Sequence, residues 1–209
     1  EVMDSAAVTA AGDSNVTATA NDARVEALGI GAAGSAAVTT GTGSSGAIAL
    51  AGAGTNNTIA NTIEAYISNT GDSSKLSSVT YGVYATGDVN VTAFDDSTIV
   101  SDAGGFSAAY ATTGTGSTAA SISIGVSGAI NNIGNNGGHS VEARIENAAA
   151  GADGHVTGDA DAKAKSDALA IGGSPAVANT SGAGFPGSFA GPGALAVNQI
   201  HMQRLTRLG

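Results

Sequence analysis

Residues 12–18 read GDSNVTA and residues 87–93 read GDVNVTA, so one phrase returns after 87 − 12 = 75 residues. A worn third copy, DGHVT, follows at 153–157, where Val156 lies 156 − 91 = 65 residues after Val91. In each copy a Gly/Asp step precedes Val and Thr, which is typical of a turn that leads into a β-strand. The recurrence indicates long internal repeats.

Two further blocks recur in the same order. TIEAYISN at 62–69 matches SVEARIEN at 140–147, an offset of 140 − 62 = 78, and SISIGVSGAI at 121–130 resembles both GAIALAGA at 46–53 and GALAVN at 193–198. The sequence therefore predicts a single domain over residues 1–199, built from about two and a half long repeats at 12–86, 87–150 and 151–199. Residues 200–209 depart from the pattern and are expected to be a capping segment, a docking element or a cloning remnant.

Apolar residues alternate with polar ones inside these blocks, and this period of two is the signature of a strand. The alternation predicts that Glu64 and Tyr66 point outward and that Glu142, Arg144 and Glu146 form a row of alternating charge. The inner rows are predicted to be ladders of Val, Ile and Ala, with inward positions at Ile63, Ala65, Ile67, Val141, Ala143, Ile145 and, by the same alternation, Ile122, Ile124 and Val126.

Short strands between tight corners predict an all-β parallel β-solenoid, with corners at Gly12-Asp13, Gly104-Gly105 and Asn136-Gly137. A coil of ~20–25 residues would place three coils in each long repeat. Nine or ten coils spaced ~4.8 Å apart would then form a rod of roughly 45 Å.

Composition narrows the function. Hydrophobic residues make up 42% and aromatics only 4%, so the interior must be filled by small side chains between closely spaced backbones. The net charge of −10 argues against nucleic acid as a partner. There is no cysteine for a disulfide framework, and no apolar run approaches the ~20 residues of a membrane-spanning helix. The chain opens on Glu1 without a signal peptide, which suggests a mature product or an excised fragment.

The recurring DxNVTA, SISIGVSGAIN and VEARIEN phrases resemble the repeats of leukotoxin-type filamentous adhesins and of other giant bacterial surface proteins with haemagglutinin-like β-helices. The resemblance covers most of the chain from Gly12 to Asn198. It implies a secreted right-handed parallel β-helix of degenerate Gly/Ala/Ser/Thr-rich coils, located at the cell surface within a long rod. It supplies no catalytic residues.

Few residues are candidates for chemistry. Asp95-Asp96 is the only adjacent acidic pair, and Asp159 with Asp161 would share one face of a strand, as the two carboxylates of a glycosidase must. Such a cleft would need aromatic platforms, and the chain has 4 Tyr, 4 Phe and no Trp. Solvated turn aspartates are the favoured interpretation, so we expect no enzyme.

Metal binding is a second, weaker possibility. Asp13, Asp88 and Asp153 at the Gly/Asp steps are candidate calcium ligands, although an aspartate also favours turns by capping its own backbone. The histidines His139, His155 and His201 have no zinc-site spacing. No other cofactor is expected.

We therefore expect a non-enzymatic structural or adhesive stalk segment of a large secreted bacterial surface protein. The alternative is a self-assembling extracellular fibre or surface-layer subunit, with copies of the chain or neighbouring repeats meeting through terminal coils, or a glycan or host-surface ligand as partner. A glycan-active β-helix enzyme and an ice-binding solenoid are less favoured; in the second case the Thr17-x-Thr19 row is broken by Phe94 two residues after Thr92.

Overall fold

The computed structural model describes residues 1–3, 8–68, 82–115, 117–134 and 138–209, so the expected corner at Asn136-Gly137 lies outside the described residues. All regular elements in these ranges are β-strands, and no helix in the described part could cross a membrane. In chain order the strands are β1 (Val2–Met3), β2 (Val8–Ala10), β3 (Ser14–Ala20), β4 (Arg24–Thr39), β5 (Ser45–Ile59), β6 (Thr62–Ser68), β7 (Val83–Ala85), β8 (Val89–Asp95), β9 (Thr98–Thr113), β10 (Ala119–Ile133), β11 (Ser140–Glu146), β12 (Ala150–Ala152), β13 (Val156–Ala162), β14 (Lys165–Gly173), β15 (Ala176–Thr180), β16 (Pro186–Ile200) and β17 (Gln203–Leu208).

The described strands form three tiers, which we define by their order in the chain as β2–β6, β7–β11 and β12–β17. Each strand pairs in parallel with its counterpart in the next tier, and β1 pairs with β6 on the side away from the second tier. Five sheets result, numbered along the chain: sheet 1 (β2, β7, β12), sheet 2 (β3, β8, β13), sheet 3 (β4, β9, then β14 and β15), sheet 4 (β5, β10, β16) and sheet 5 (β1, β6, β11, β17). This arrangement is all-β and parallel, and it is compatible with a parallel β-solenoid.

The expected coil length is wrong. A whole long repeat forms one tier, because Val16 pairs with Val91 and Ile63 pairs with Val141, the positions at which the repeat was recognised. Three tiers at ~4.8 Å therefore span only about 10 Å from first to last, and the expected stack of nine or ten coils does not form. The strands are correspondingly long, reaching 16 residues in β4 and β9.

The third repeat is shifted by two residues from the alignment made on the sequence. Val156 pairs with Val89 rather than Val91, so His155 takes the place that Asp13 and Asp88 hold in the other tiers. The tail at 200–209 is also part of the stack, since β17 pairs with β11 where a Val-Glu-Ala strand was expected.

The interior has a thick and a thin section. In the thick section sheet 2 packs against sheet 5, around a core of Val, Ile and Ala side chains that includes Val91, Val141 and Ile67. The inward positions predicted for β6 and β11 are confirmed there. In the thin section sheet 3 packs against sheet 4 around alanines such as Ala49 and Ala111.

Asparagines stack across the three tiers of sheet 4. Asn131 is fully buried, accepts a hydrogen bond from Asn57 at 3.2 Å and donates one to Asn198 at 3.3 Å. The Asn131 amide also donates to the backbone oxygen of Asp167 at 2.6 Å, which joins sheet 4 to sheet 3. Because each amide can only bond a neighbour at its own level, this ladder helps to fix the register of the tiers.

Candidate functional surface

The two sheets of the thin section lie too close together for side chains at their nearest approach. Gly31, Gly105 and Gly172 are neighbours in register on sheet 3. A Cβ atom at these glycines would lie 2.1, 2.1 and 2.2 Å from the carbonyl oxygens of Gly52, Val126 and Gly193 on sheet 4. Gly104-Gly105 is therefore not a corner, as expected from sequence, but the middle of β9. Glycine serves here for close backbone approach; positive φ occurs instead at Asp22, Gly134, Asn147 and Gly182.

This close approach reverses the expected orientation of β10. Ser121, Ser123 and Ser127 point inward and are buried, whereas Ile122 and Val126 are exposed. The prediction that the isoleucines and valine line the interior is wrong, because only Gly, Ala and Ser fit between sheets 3 and 4. The large apolar side chains are left on the outside.

The outer face of sheet 3 is consequently apolar. Ile30 is 75% exposed, Leu28 71%, Ile171 60% and Phe106 53%. Monomeric soluble proteins rarely expose a contiguous apolar patch of more than a few hundred Å² unless it has a function. We call this surface the sheet 3 face; its other exposed large apolar residues are Val38, Tyr110, Leu169 and Val177.

The sheet 3 face has a regular relief. Gly104 lies between Ile30 and Ile171 on the neighbouring strands and leaves a notch. At the next outward position, Phe106 lies between Ala32 and Gly173 and forms a ridge. A second depression, which Gly34 and Pro175 help to line, follows before Tyr110.

The outer face of sheet 4 is apolar as well. Ile48, Ile122 and Phe189 are aligned across the three tiers and are all exposed. Leu50 and Leu195 extend this surface, which we call the sheet 4 face. The thin section is therefore a double sheet with an apolar surface on each side.

The calcium candidates bond to backbone and to a tyrosine. An oxygen of Asp13 accepts the N–H of Asp88 at 2.9 Å, and an oxygen of Asp88 accepts the N–H of His155 at 2.8 Å. Asp153 accepts a hydrogen bond from the hydroxyl of Tyr84. No three His, Asp or Glu side chains among the described residues are grouped as a metal site would require, so the geometry adds no support for calcium at these corners.

Asp95, a candidate acid, lies in a buried polar cluster. Asp95 and His139 have no exposed side-chain surface, and His139 Nε2 is 3.0 Å from Asp95 Oδ2. Ser97 donates to the other Asp95 oxygen at 2.5 Å, while the backbone N–H of Asn61 donates to His139 Nδ1 at 3.3 Å. The Asn61 contact leaves Nε2 as the nitrogen that carries the proton, so His139 donates to Asp95. With no access for substrate, the cluster anchors the junction between the thick and thin sections.

Asp161, the second candidate, lies on an exposed face. Its carboxylate is 2.9 Å from Lys163 and 3.8 Å from Arg204. The hydrogen bond from Lys163 to Asp161 and their charge attraction raise the pKa of Lys163. Asp159 pairs in register with Thr92, and Thr19 pairs with Phe94, which confirms that the threonine row is interrupted.

The charged row on sheet 5 is confirmed. Arg144 is 3.6 Å from Glu142 and 3.7 Å from Glu64 in the neighbouring tier, and its guanidinium lies 4.9 Å from the Tyr66 ring centre. A hydrogen bond with Glu1 is the main cause of the raised pKa of Tyr66. Pairs this exposed contribute little stability.

No family model matches the chain, and no curated protein or solved structure is similar to it. Sequence reasoning missed both apolar faces and the His139–Asp95 pair. The signal for the faces was present, because an alternation of large apolar residues with Gly and Ser is satisfied equally well when the small residues point inward. The signal for the pair was absent, since 44 residues separate its members.

Proposed function

We propose that the chain is a non-enzymatic structural and adhesive segment of a large secreted bacterial surface protein, folded as a right-handed parallel β-solenoid. It acts by self-assembly through its apolar faces. The observation that carries the proposal is the exposure of large apolar side chains on both sides of the thin section. A surface of this kind is typical of a protein that is covered by a partner.

The tier geometry favours assembly over spanning distance. One tier takes 67 to 75 residues, the separation of hydrogen-bonded counterparts such as Asn90 with Thr157 and Asn15 with Asn90. Each tier adds only ~4.8 Å of height. Strands of 15 or 16 residues instead extend each tier sideways to about 50 Å, so the residues are spent on broad surfaces.

The placement of the acidic candidates supports a non-enzymatic role. Asp95 is enclosed, and the Asp161 carboxylate lies on an open sheet where its neighbours are the cations of Lys163 and Arg204. A glycan-cleaving site would require two carboxylates facing each other across a cleft, with one kept protonated.

A plain stalk is the second candidate, and the matched register of the three tiers favours it. Strands continue the same pairing from tier to tier, so a further repeat could add to the first tier. The third tier is less suited to continuation. The backbone of Phe185 faces the second tier, since its oxygen accepts the N–H of Ala119 at 3.2 Å. By strand alternation Pro186 and Pro192 then face away, and neither has an N–H to offer a fourth tier.

Sedimentation velocity from about 1 to 300 μM, followed by negative-stain electron microscopy, tests the proposal, since interfaces of this size commonly have micromolar dissociation constants. We expect the mean sedimentation coefficient to rise with concentration and discrete assemblies to be visible. A single monomeric species over the whole range would contradict assembly as the function and leave the stalk as the better interpretation.

A further inference from the structure

We propose that the sheet 3 face pairs with the sheet 3 face of a second copy of the chain. The two-fold axis would run along the stacking direction of the tiers, level with Gly105. This inference rests on the proposed function in one respect, which is that the chain assembles. It adds the partner, the face and the orientation.

Such an axis reverses the strand direction and keeps the order of the tiers. The outward positions Ile30, Gly104 and Ile171 of one copy would then oppose Ala32, Phe106 and Gly173 of the other. In every tier a large side chain meets a small one. Phe106 of each copy would enter the notch at Gly104 of the other, between Ile30 and Ile171.

The complementarity extends one position further along the strands. Leu28 and Leu169 would oppose Gly34 and Pro175, which border the second depression. Asp102, between the two leucines, would oppose Ala108, where small side chains leave room for its carboxylate and bound water. Because the axis lies along the stack, every tier makes its contacts at the same level.

The sheet 4 face lacks this self-complementarity. Its central outward positions are Leu50, Ile124 and Gly191, followed by Gly52, Val126 and Gly193. An equivalent two-fold axis would oppose Ile124 to Val126 in the second tier and two glycines in the third. One tier would collide and another would leave a gap, so the sheet 3 face is the one that fits itself.

The size of the face is sufficient for a stable dimer. A three-stranded sheet of 16-residue strands measures ~50 by ~14 Å, or about 700 Å² on each copy. A pair would bury roughly 1,400 Å², which is within the range of ~1,200–2,000 Å² for specific interfaces. The charged residues Arg24, Glu26, Lys165 and Asp167 lie at one end of the strands, where a polar rim would be.

Glycines on the two faces provide matched variants. Gly104 and Gly34 have no atom within 4 Å of an added Cβ, so Gly104→Phe and Gly34→Leu fit the isolated chain but would collide with the second copy. Gly46 points outward on the sheet 4 face with its nearest atom at 4.0 Å, so Gly46→Leu is the control. We expect Gly104→Phe and Gly34→Leu to weaken self-association at least 10-fold in sedimentation equilibrium, and Gly46→Leu to change it less than 2-fold.

Exchanging the two residues gives the sharpest test. Gly104→Phe leaves two phenylalanines in opposition, and Phe106→Gly leaves a cavity, but the double variant restores one large and one small residue at the central contact. We expect both single variants to associate more weakly than the double variant, which should return to within about 3-fold of the original chain. A lipid or an unrelated protein on this face would not produce such a rescue.

The outcomes separate the inference from the proposed function. Assembly that persists in Gly104→Phe and is lost in Gly46→Leu would overturn the sheet 3 dimer while retaining assembly as the function. Absence of self-association in the original chain would overturn both. Failure of the double variant to recover, with circular dichroism unchanged, would also overturn the proposed orientation.

Discussion

Gly105 is the position at which a single methyl group should cost the most stability for its size. Replacing Gly105 by alanine would place a Cβ atom 2.1 Å from the carbonyl oxygen of Val126 and 2.7 Å from its carbonyl carbon. Both obstacles are backbone atoms of a long paired strand, so no side chain can rotate to make room. To restore ordinary contact distances, sheets 3 and 4 would have to separate locally by about 1 Å or more.

The magnitude follows from two opposing effects. Overpacking a filled interior typically costs ~1–3 kcal/mol, and the upper end applies here because backbone must move. Alanine also restricts the unfolded chain, which returns ~0.4–1 kcal/mol. We therefore expect Gly105→Ala to lower the free energy of unfolding by about 2 kcal/mol.

The adjacent residue is the matched control. Gly104 points outward with nothing within 4 Å of an added Cβ, so Gly104→Ala should gain only the unfolded-chain effect of ~0.5 kcal/mol. Urea unfolding followed by far-ultraviolet circular dichroism, at a concentration where the chain is monomeric, would then separate the two midpoints by roughly 1 M. Equal midpoints for Gly104→Ala and Gly105→Ala would refute the close approach of the two sheets and the inward direction assigned to Gly105.

Three further predictions concern polar groups. Ser121 and Ser123 are both buried, but only Ser123 has a described hydrogen-bond partner, so Ser121→Ala should stabilise the fold and Ser123→Ala destabilise it, each by ~1 kcal/mol in urea unfolding; the same sign for both would contradict the assignment. Asp95→Ala removes the buried acceptor of His139 and should cost ~3 kcal/mol, measured in the same way, whereas an unchanged midpoint would show that the pair is not formed. The raised pKa of Lys163 means that its small stabilisation is present below the ordinary lysine pKa and lost as the pH rises through the folded value; Lys163→Gln should therefore differ from the original chain at pH 8 and not at pH 12, and a difference that persists at pH 12 would point to a cause other than charge.

The repeats could be recognised from sequence because a stacked tier reproduces its neighbour position by position. The offset that relates Val16 to Val91 is the offset of their pairing. The number of residues per tier could not be derived from the same evidence, since a repeat of about 70 residues is compatible with three short coils or one long one. The lack of any shorter period within the repeat was the available sign of a single long tier.

The direction of side chains was harder to predict than their alternation. Ile63 and Ile122 occur in equally regular alternating segments, yet Ile63 points inward and Ile122 outward. Periodicity determines which residues share a face, but the distance to the opposing sheet determines which face is inside. That distance depends on Gly31 and Gly105, which belong to strands distant in sequence from β10.

Together the glycine rows and the apolar faces follow from a single constraint on the thin section. Sheets separated by little more than their backbones can bury methyl groups and hydroxyls, but not leucine, isoleucine or phenylalanine. Hydrophobic stabilisation scales with the apolar area removed from water, so the interior of the thin section supplies little of it. Its large apolar side chains can contribute only when something covers the outer faces. For such a tier, assembly is the step that removes these side chains from water, and the same residue pattern that keeps the interior thin therefore also selects for a partner.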